Sequence, residues 1–262
     1  MDADNALWEL KKEKVLAKIR ENKRIDDRDF LQYRNIKIEQ GLFQNADGSC
    51  KVTMGETVVY AGVKMVPGLP YPDMPDEGTI SVLAEFMPLA SPSFEAGPPS
   101  KESTELARVI DRGIREGKCL DSKALCIRAG EKVWVVFIDI YIGNDDGNLF
   151  DAGSLAALGA LMNTRIPKFK DDKIVSGEYF GNLDVQTMPL LTTCAKIGNV
   201  IVVDTSLVEE KAMSARFSMA TLEDGTICAI QKGGVSSFTK DEVKHIADIS
   251  IEKGNELRKL LR

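Results

Sequence analysis

The sequence predicts an α+β protein built from two parts, each a β-sheet that carries helices. Two observations lead to this fold class. Stretches rich in β-branched residues occur between residues 33 and 86 and again between 185 and 234, and helical patterns follow each group of strands. The 262 residues can bury a full core, and 44% hydrophobic with 28% charged residues is typical of a globular protein.

The first 30 residues predict an amphipathic helical extension. Acidic and basic residues alternate through "MDADNALWELKKEKVLAKIREN", which excludes a signal peptide and a membrane span in this segment. The apolar side chains that could form a docking face are Trp8, Leu10, Val15 and Ile19. We expect them to dock on the body of the protein or on a partner.

Residues 31–168 predict the first part. Four short strand patterns between residues 33 and 87 suggest an antiparallel meander, and the nearly apolar "EKVWVVFIDIYIG" predicts a central buried strand. Between them, Ser100 or Ser103 is the predicted N-cap of the helix "ELARVIDRGIREG". A second helix, "DAGSLAALGALMNT", has small residues for close packing, and Asp151 is its predicted N-cap.

Residues 184–262 predict the second part, after a connecting segment near Lys168 to Leu183. Four further strand patterns are followed by a closing helix that begins near Thr239.

Several kinds of chemistry are excluded or disfavoured. A net charge of −6 argues against nonspecific coating of nucleic acid, so any anion site must be local. Five cysteines without a CxxC pair and a single histidine disfavour a zinc cluster and fit buried thiols in a reducing cytoplasm. His245, beside Ile246 in the closing helix, is expected to be a partly exposed packing residue rather than a catalytic base. The loop "NDDGNLFD" lacks the calcium-loop spacing, and we expect neither a metal nor a cofactor.

The helix "ELARVIDRGIREG" places Arg108, Arg112 and Arg115 on one face, within an arc of about 60°. Such a face can hold phosphates, or it can be a salt-bridged surface with Asp111–Arg115, Arg112–Glu116 and Glu105–Arg108 pairs. From the residues alone, the salt-bridged surface is favoured.

Longer motifs carry a family resemblance. The segments "RIDDRDFLQYRNIKIEQG", "PGLPYPDMPDEG", "MPLASPSFEAGPPS", "ELARVIDRGIREG" and "GEKVWVVFIDIYI" resemble noncatalytic archaeal exosome subunits of the ribonuclease PH family. The resemblance runs from about Arg24 to the closing helix. It implies a ribonuclease PH-like fold with a ribosomal-protein-like βαβ topology. It also implies a ring of six, in which three copies alternate with three of a catalytic homologue beneath RNA-binding cap proteins. The homologue would degrade RNA from the 3′ end by phosphorolysis.

Two departures from the catalytic pattern imply that this chain has no catalytic residues of its own. Aligning "DTSLVEEKAMSAR" with the Asp-x5-Asp motif of the catalytic homologue places Glu210 at the first position and Arg216 at the second. A guanidinium cannot act as a general acid near neutral pH or bind a cation. The homologue's Gly-Ser/Thr-Arg phosphate seat corresponds to residues 147–149, where Leu149 replaces the arginine.

The resemblance assigns the arginine helix to single-stranded RNA, with Arg112 and Arg115 as the main contacts and Arg108 as a further one. It implies a cytoplasmic protein with no membrane contact. Two alternatives stay open: an autonomous phosphorolytic exoribonuclease that uses Asp204 and Glu210, and an architectural subunit without RNA contact. We expect Arg216 to pair with Glu209 or Glu210, and Lys101 to be solvated.

Overall fold

The computed structural model describes residues 3–262 and contains three sheets. The largest has the strand order β1-β2-β3-β6-β4, and β5 pairs with β6 at its end. Its strands are β1 (Ile36–Gln40), β2 (Gly48–Met54), β3 (Thr57–Gly68), β4 (Thr79–Phe86), β5 (Cys126–Arg128) and β6 (Lys132–Asn144). As predicted, the apolar strand β6 is central.

The predicted four-stranded meander is wrong at its fourth strand. β4 does not follow β3 in the sheet, because β6 lies between them and runs parallel to β4. Every second residue of β6 faces the core and is buried. In its central position, β6 hydrogen-bonds to β3 on one side and to β4 on the other.

A second, four-stranded antiparallel sheet has the order β10-β9-β11-β12. Its strands are β9 (Leu190–Ile197), β10 (Val200–Val203), β11 (Ala215–Thr221) and β12 (Ile227–Gly234). All four occur where the sequence predicts strands. The expected connecting segment is not a plain linker, since β7 (Arg165–Lys170) and β8 (Lys173–Asn182) form a two-stranded hairpin there. The division at 31–168 and 184–262 stays a prediction.

Five helices complete the described part of the chain: α1 (Ala3–Arg20), α2 (Lys101–Glu116), α3 (Leu149–Met162), α4 (Leu207–Ala212) and α5 (Lys240–Lys259). α3 packs against β2 and β3 of the first sheet, β9 of the second, and α2. Its small residues permit this close approach: a Cβ added to Gly159 would lie 2.6 Å from Cys50 Sγ. One continuous apolar core therefore joins both sheets around α3.

The N-terminal helix α1 docks on the second sheet. Val15 and Ile19 are buried with Ile197 and Val202, whereas Leu10 is 64% exposed. The predicted apolar side of this helix is thus only partly used by the body of the protein.

Candidate nucleic-acid interface

α2 is amphipathic, and its apolar side faces the core. Ser100 is the N-cap, as one of the two predictions has it, because its hydroxyl accepts a hydrogen bond from the Ser103 amide at 3.1 Å. The buried apolar residues are Leu106, Ala107, Val109, Ile110 and Ile114. Arg108, Arg112 and Arg115 are all exposed on the opposite side.

Arg115 is already engaged within the protein. Its guanidinium pairs with Asp111 at 2.8 Å, which confirms that predicted salt bridge. It also donates a hydrogen bond to the Ile80 carbonyl oxygen at 2.9 Å. Part of its charge is therefore compensated before any ligand arrives.

Arg108 and Arg112 are not paired in this way. Within the described part of the chain, neither has a carboxylate oxygen within 4.0 Å, so the predicted Glu105–Arg108 and Arg112–Glu116 pairs are wrong. Glu105 contacts Arg216 and Gln231 of the second sheet instead. The structure therefore leaves two guanidinium groups on α2 available to an external anion.

These two arginines line a groove between α2 and β12, the edge strand of the second sheet. The α2–β12 groove has a volume of about 530 Å³. Lys101, the first residue of α2, lies on the same wall as Arg108 and Arg112, and Ile230 and Gln231 form the opposite wall. Glu105 and Asp111 also line the groove, but they pair with Arg216 and Arg115. Unpaired cations beside apolar side chains suit a single nucleic-acid strand, whose phosphates need cations and whose bases need apolar contact.

At the predicted phosphate seat, the protein supplies its own hydrogen-bond acceptor, the carboxyl group of Glu210. At the start of α3, the backbone N–H of Asn148 donates a hydrogen bond to Glu210 Oε1 at 2.7 Å. Burial raises the pKa of the Glu210 carboxyl to about 7, and the nearby Asp145 carboxylate adds to the shift. An amide that would otherwise face a bound phosphate is thus occupied by a side chain.

Arg216, at the second acid position, turns toward α2. Its Nη2 lies 2.6 Å from Glu105 Oε1, and its guanidinium carbon lies 4.3 Å from the centroid of the Phe150 ring. The expected pairing with Glu209 or Glu210 is therefore wrong. Both of those carboxylates have other partners, which the sequence spacing did not reveal.

The partner of Glu209 is Arg24, and both side chains are fully buried. Arg24 Nε lies 2.9 Å from Glu209 Oε1, and Nη2 lies 2.5 Å from Oε2. Arg24 also donates to the carbonyl oxygens of Val203 at 3.0 Å and Asp204 at 2.7 Å. This fork ties the segment after α1 to the start of α4, and we did not predict it.

Asp204 is equally engaged. Arg34 binds both of its carboxylate oxygens, with Nη2–Oδ1 at 2.8 Å and Nε–Oδ2 at 3.0 Å, and Arg28 Nη1 lies 2.9 Å from Oδ2. Burial would raise the pKa of the Asp204 carboxyl, but the hydrogen bonds and charge of Arg34 outweigh it and hold the pKa below its usual value. A carboxylate held in this way is not free to bind a cation.

The predicted N-cap role of Asp151 is wrong, because α3 begins two residues earlier and Asn148 precedes its first turn. Asp151 is instead buried inside the helix, where its Oδ2 accepts hydrogen bonds from Tyr33 Oη at 2.7 Å and the Thr193 amide at 3.1 Å. Burial raises the pKa of the Asp151 carboxyl to about 6. It links the first part of the chain to the second sheet.

In the described range, no three His, Cys, Asp or Glu side chains come together as a candidate metal site. None of the helices placed in residues 3–262 combines the length and apolar character needed to cross a membrane. His245 is exposed on α5.

Comparison with known protein families gives two matches that together cover most of the chain. Residues 32–167 match domain 1 of the 3′ exoribonuclease family, the ribonuclease PH domain. Residues 187–253 match domain 2 of the same family.

Curated relatives match over nearly the full length. The exosome complex component Rrp42 of Thermococcus gammatolerans is 45% identical over 95% of this chain and 93% of its own. The protein of the same name from Archaeoglobus fulgidus is 44% identical over 97% of both chains.

Solved structures agree with these relatives. A chain of the Archaeoglobus fulgidus exosome with RNA bound to the active site superimposes with a TM-score of 0.93 at 44% identity, covering 98% of this chain and 100% of that one. A chain of an archaeal exosome core gives 0.89 at 40% identity, with 98% of each chain covered. The chain therefore belongs to the ribonuclease PH (3′ exoribonuclease) family and, within it, to the group of archaeal exosome components called Rrp42.

Proposed function

We propose that this protein is a noncatalytic ring subunit of the archaeal exosome, a complex that degrades RNA from the 3′ end by phosphorolysis in the cytoplasm. Three copies alternate with three copies of a catalytic homologue, and RNA-binding cap proteins cover the ring. The observation that carries the proposal is the agreement in fold with chains of two archaeal exosome structures, one of which has RNA in its active site.

The absence of independent catalysis is supported by three local features. Leu149 stands where the catalytic homologue's arginine would bind phosphate, and Glu210 already occupies the Asn148 amide beside it. Arg216, at the second acid position, is bound to Glu105 and cannot donate a proton near neutral pH.

The autonomous-enzyme alternative would need the carboxylate of Asp204 for a metal ion. Arg34 and Arg28 occupy both of its oxygens. We therefore assign the chemistry to the neighbouring subunit.

The α2–β12 groove is the proposed RNA contact. Arg108 and Arg112 supply exposed guanidinium groups, and Arg115 adds a third that is shared with Asp111. Forks of this kind hold phosphates without reading base sequence, which suits a complex that degrades many RNAs. In the ring, these residues would guide RNA toward the active site of the catalytic homologue.

Co-expression with the catalytic homologue tests the proposal. We expect a mixed ring that releases nucleoside diphosphates from RNA in the presence of phosphate and magnesium, whereas this chain alone releases none. The charge reversals Arg112→Glu and Arg115→Glu should weaken RNA binding by the ring and make it less dependent on salt. Unchanged binding by an intact ring would favour the architectural alternative.

A further inference from the structure

The α2–β12 groove contains a carboxylate that should oppose RNA binding. Glu105 lines the groove four residues after Lys101 and three residues before Arg108. A free carboxylate at this position would repel phosphates, and at an i, i+3 spacing it would pair with Arg108. In the structure, it does not make that pair.

Glu105 Oε1 instead faces two groups from the second sheet. Arg216 Nη2 lies 2.6 Å away, and Gln231 Nε2 donates a hydrogen bond to the same oxygen at 2.9 Å. The side chains of Glu105 and Arg216 are 33% and 18% exposed, so the pair is partly shielded from solvent.

The position of the Arg216 guanidinium is fixed by its surroundings. The guanidinium lies over the ring of Phe150, and Arg216 on β11 pairs across the sheet with Gly233 on β12. A Cβ at Gly233 would come within 3.0 Å of Arg216 Cζ and Nε, so glycine leaves the space that the guanidinium occupies. Within the described part of the chain, Glu105 is the ion-pair partner of this guanidinium, and the buried Arg216 Nε has no hydrogen-bond partner.

We propose that Arg216 is a positioning residue for RNA binding: it holds Glu105 away from Arg108 and neutralises its charge in the groove. The side chain at the lost acid position thereby supports the binding of RNA by α2. The inference rests on the proposed RNA contact and extends it to a residue outside the arginine face.

Arg216→Gln in the assembled ring is the direct test, with binding of a fluorescent single-stranded RNA measured in the absence of phosphate and magnesium. Glu105 then keeps only the neutral Gln231 as a partner, and its uncompensated charge can pair with Arg108. We therefore expect binding to weaken about fivefold. The slope of log K against log salt should become shallower by about 0.7, the value of one phosphate contact on a single strand.

The second substitution, Glu105→Gln, separates this account from a direct contact. Added to Arg216→Gln, it should restore the affinity and the salt slope, because position 105 then carries no carboxylate to capture Arg108 and Asp111 stays paired with Arg115. If Arg216 itself bound RNA, the double variant would stay weak, and that result would overturn the inference. Unchanged binding by the Arg216→Gln ring would also overturn it.

Two further variants complete the design. Arg128→Gln removes an exposed arginine that pairs with Glu131 at 2.8 Å outside the groove, and it should leave RNA binding unchanged. If Arg216→Gln prevents ring assembly, Arg216→Lys replaces it. The ammonium makes a weaker contact with Glu105, so a smaller loss is expected, again restored by Glu105→Gln, and a loss without restoration counts against the proposal.

Arg112→Glu distinguishes a failure of the proposed RNA contact of α2 from a failure of the proposed role of Arg216. If this reversal does not weaken binding, the RNA contact of α2 is wrong, and the inference falls with it. If Arg112→Glu weakens binding and Arg216→Gln does not, only the role of Arg216 is refuted.

Discussion

The three arginines of α2 should contribute unequally to RNA binding. Arg108 and Arg112 have no ion-pair partner in the described part of the chain, whereas Arg115 pairs with Asp111 at 2.8 Å. We expect the double variant Arg108→Gln with Arg112→Gln to weaken RNA binding by the ring much more than Arg115→Gln does.

The magnitude follows from counterion release. Each phosphate contact on a single strand contributes about 0.7 to the salt slope, so losing two contacts should make the slope shallower by about 1.4. Between about 50 and 200 mM salt, the ratio of variant to wild-type Kd should then fall about sevenfold. Arg115→Gln should change the slope by less than one full contact, because Asp111 already compensates part of the charge.

Fluorescence anisotropy with a labelled single-stranded RNA measures these slopes, and size-exclusion chromatography confirms that each variant ring assembles. Arg128→Gln is the matched control, since it removes an exposed and paired arginine outside the groove. An unchanged slope in the Arg108/Arg112 double variant would refute the reasoning. A larger effect of Arg115→Gln than of the double variant would refute it as well.

Two predictions concern the buried polar network. Arg34→Met leaves Asp204 with Arg28 as its remaining salt-bridge partner. Because the Arg34 side chain is only 8% exposed, we expect the free energy of unfolding to fall by about 3 kcal/mol and the Tm by roughly 6–12 °C. Thermal unfolding followed by circular dichroism measures this, and a change below about 2 °C would contradict it. The second prediction concerns pH. The pKa values of Asp151 and Glu210 are raised to about 6 and about 7 by burial. Protonation of these two carboxyls therefore stabilises the folded state fully below the unfolded pKa values of about 4. This stabilisation is lost as pH rises through the folded pKa values. From about pH 5 to 8, the Tm of the wild-type chain should fall relative to that of the Asp151→Asn/Glu210→Gln variant, and a constant difference would argue against the raised pKa values.

Local patterns in the sequence predicted local structure well. The helical spacing of Arg108, Arg112 and Arg115 correctly predicted that they share one face of α2, and Ser100 was one of two predicted caps. The uninterrupted apolar run of β6 indicated a central strand. In each case, the signal lies within a few turns of helix or one strand, where side-chain periodicity determines which face is buried.

Features that depend on distant residues were missed. The parallel pairing of β4 with β6 joins residues 56 positions apart, such as Thr79 and Val135, and nothing in either segment specifies the neighbour. The partner of Arg216 comes from α2 rather than from the adjacent acids, because Glu209 is bound to Arg24 from the far N-terminal side. Charge spacing along the chain predicts pairs within a helix. In α2, a tertiary contact with Arg216 replaces the predicted Glu105–Arg108 pair, and the predicted Arg112–Glu116 pair does not form.

The most direct test of the account is phosphate-dependent release of nucleoside diphosphates, measured for this chain alone and for its ring with the catalytic homologue. The account predicts no release by the isolated chain, and release by the ring at an unchanged rate when Glu210→Gln is introduced. Phosphorolysis by the isolated chain that is abolished by Glu210→Gln would contradict it.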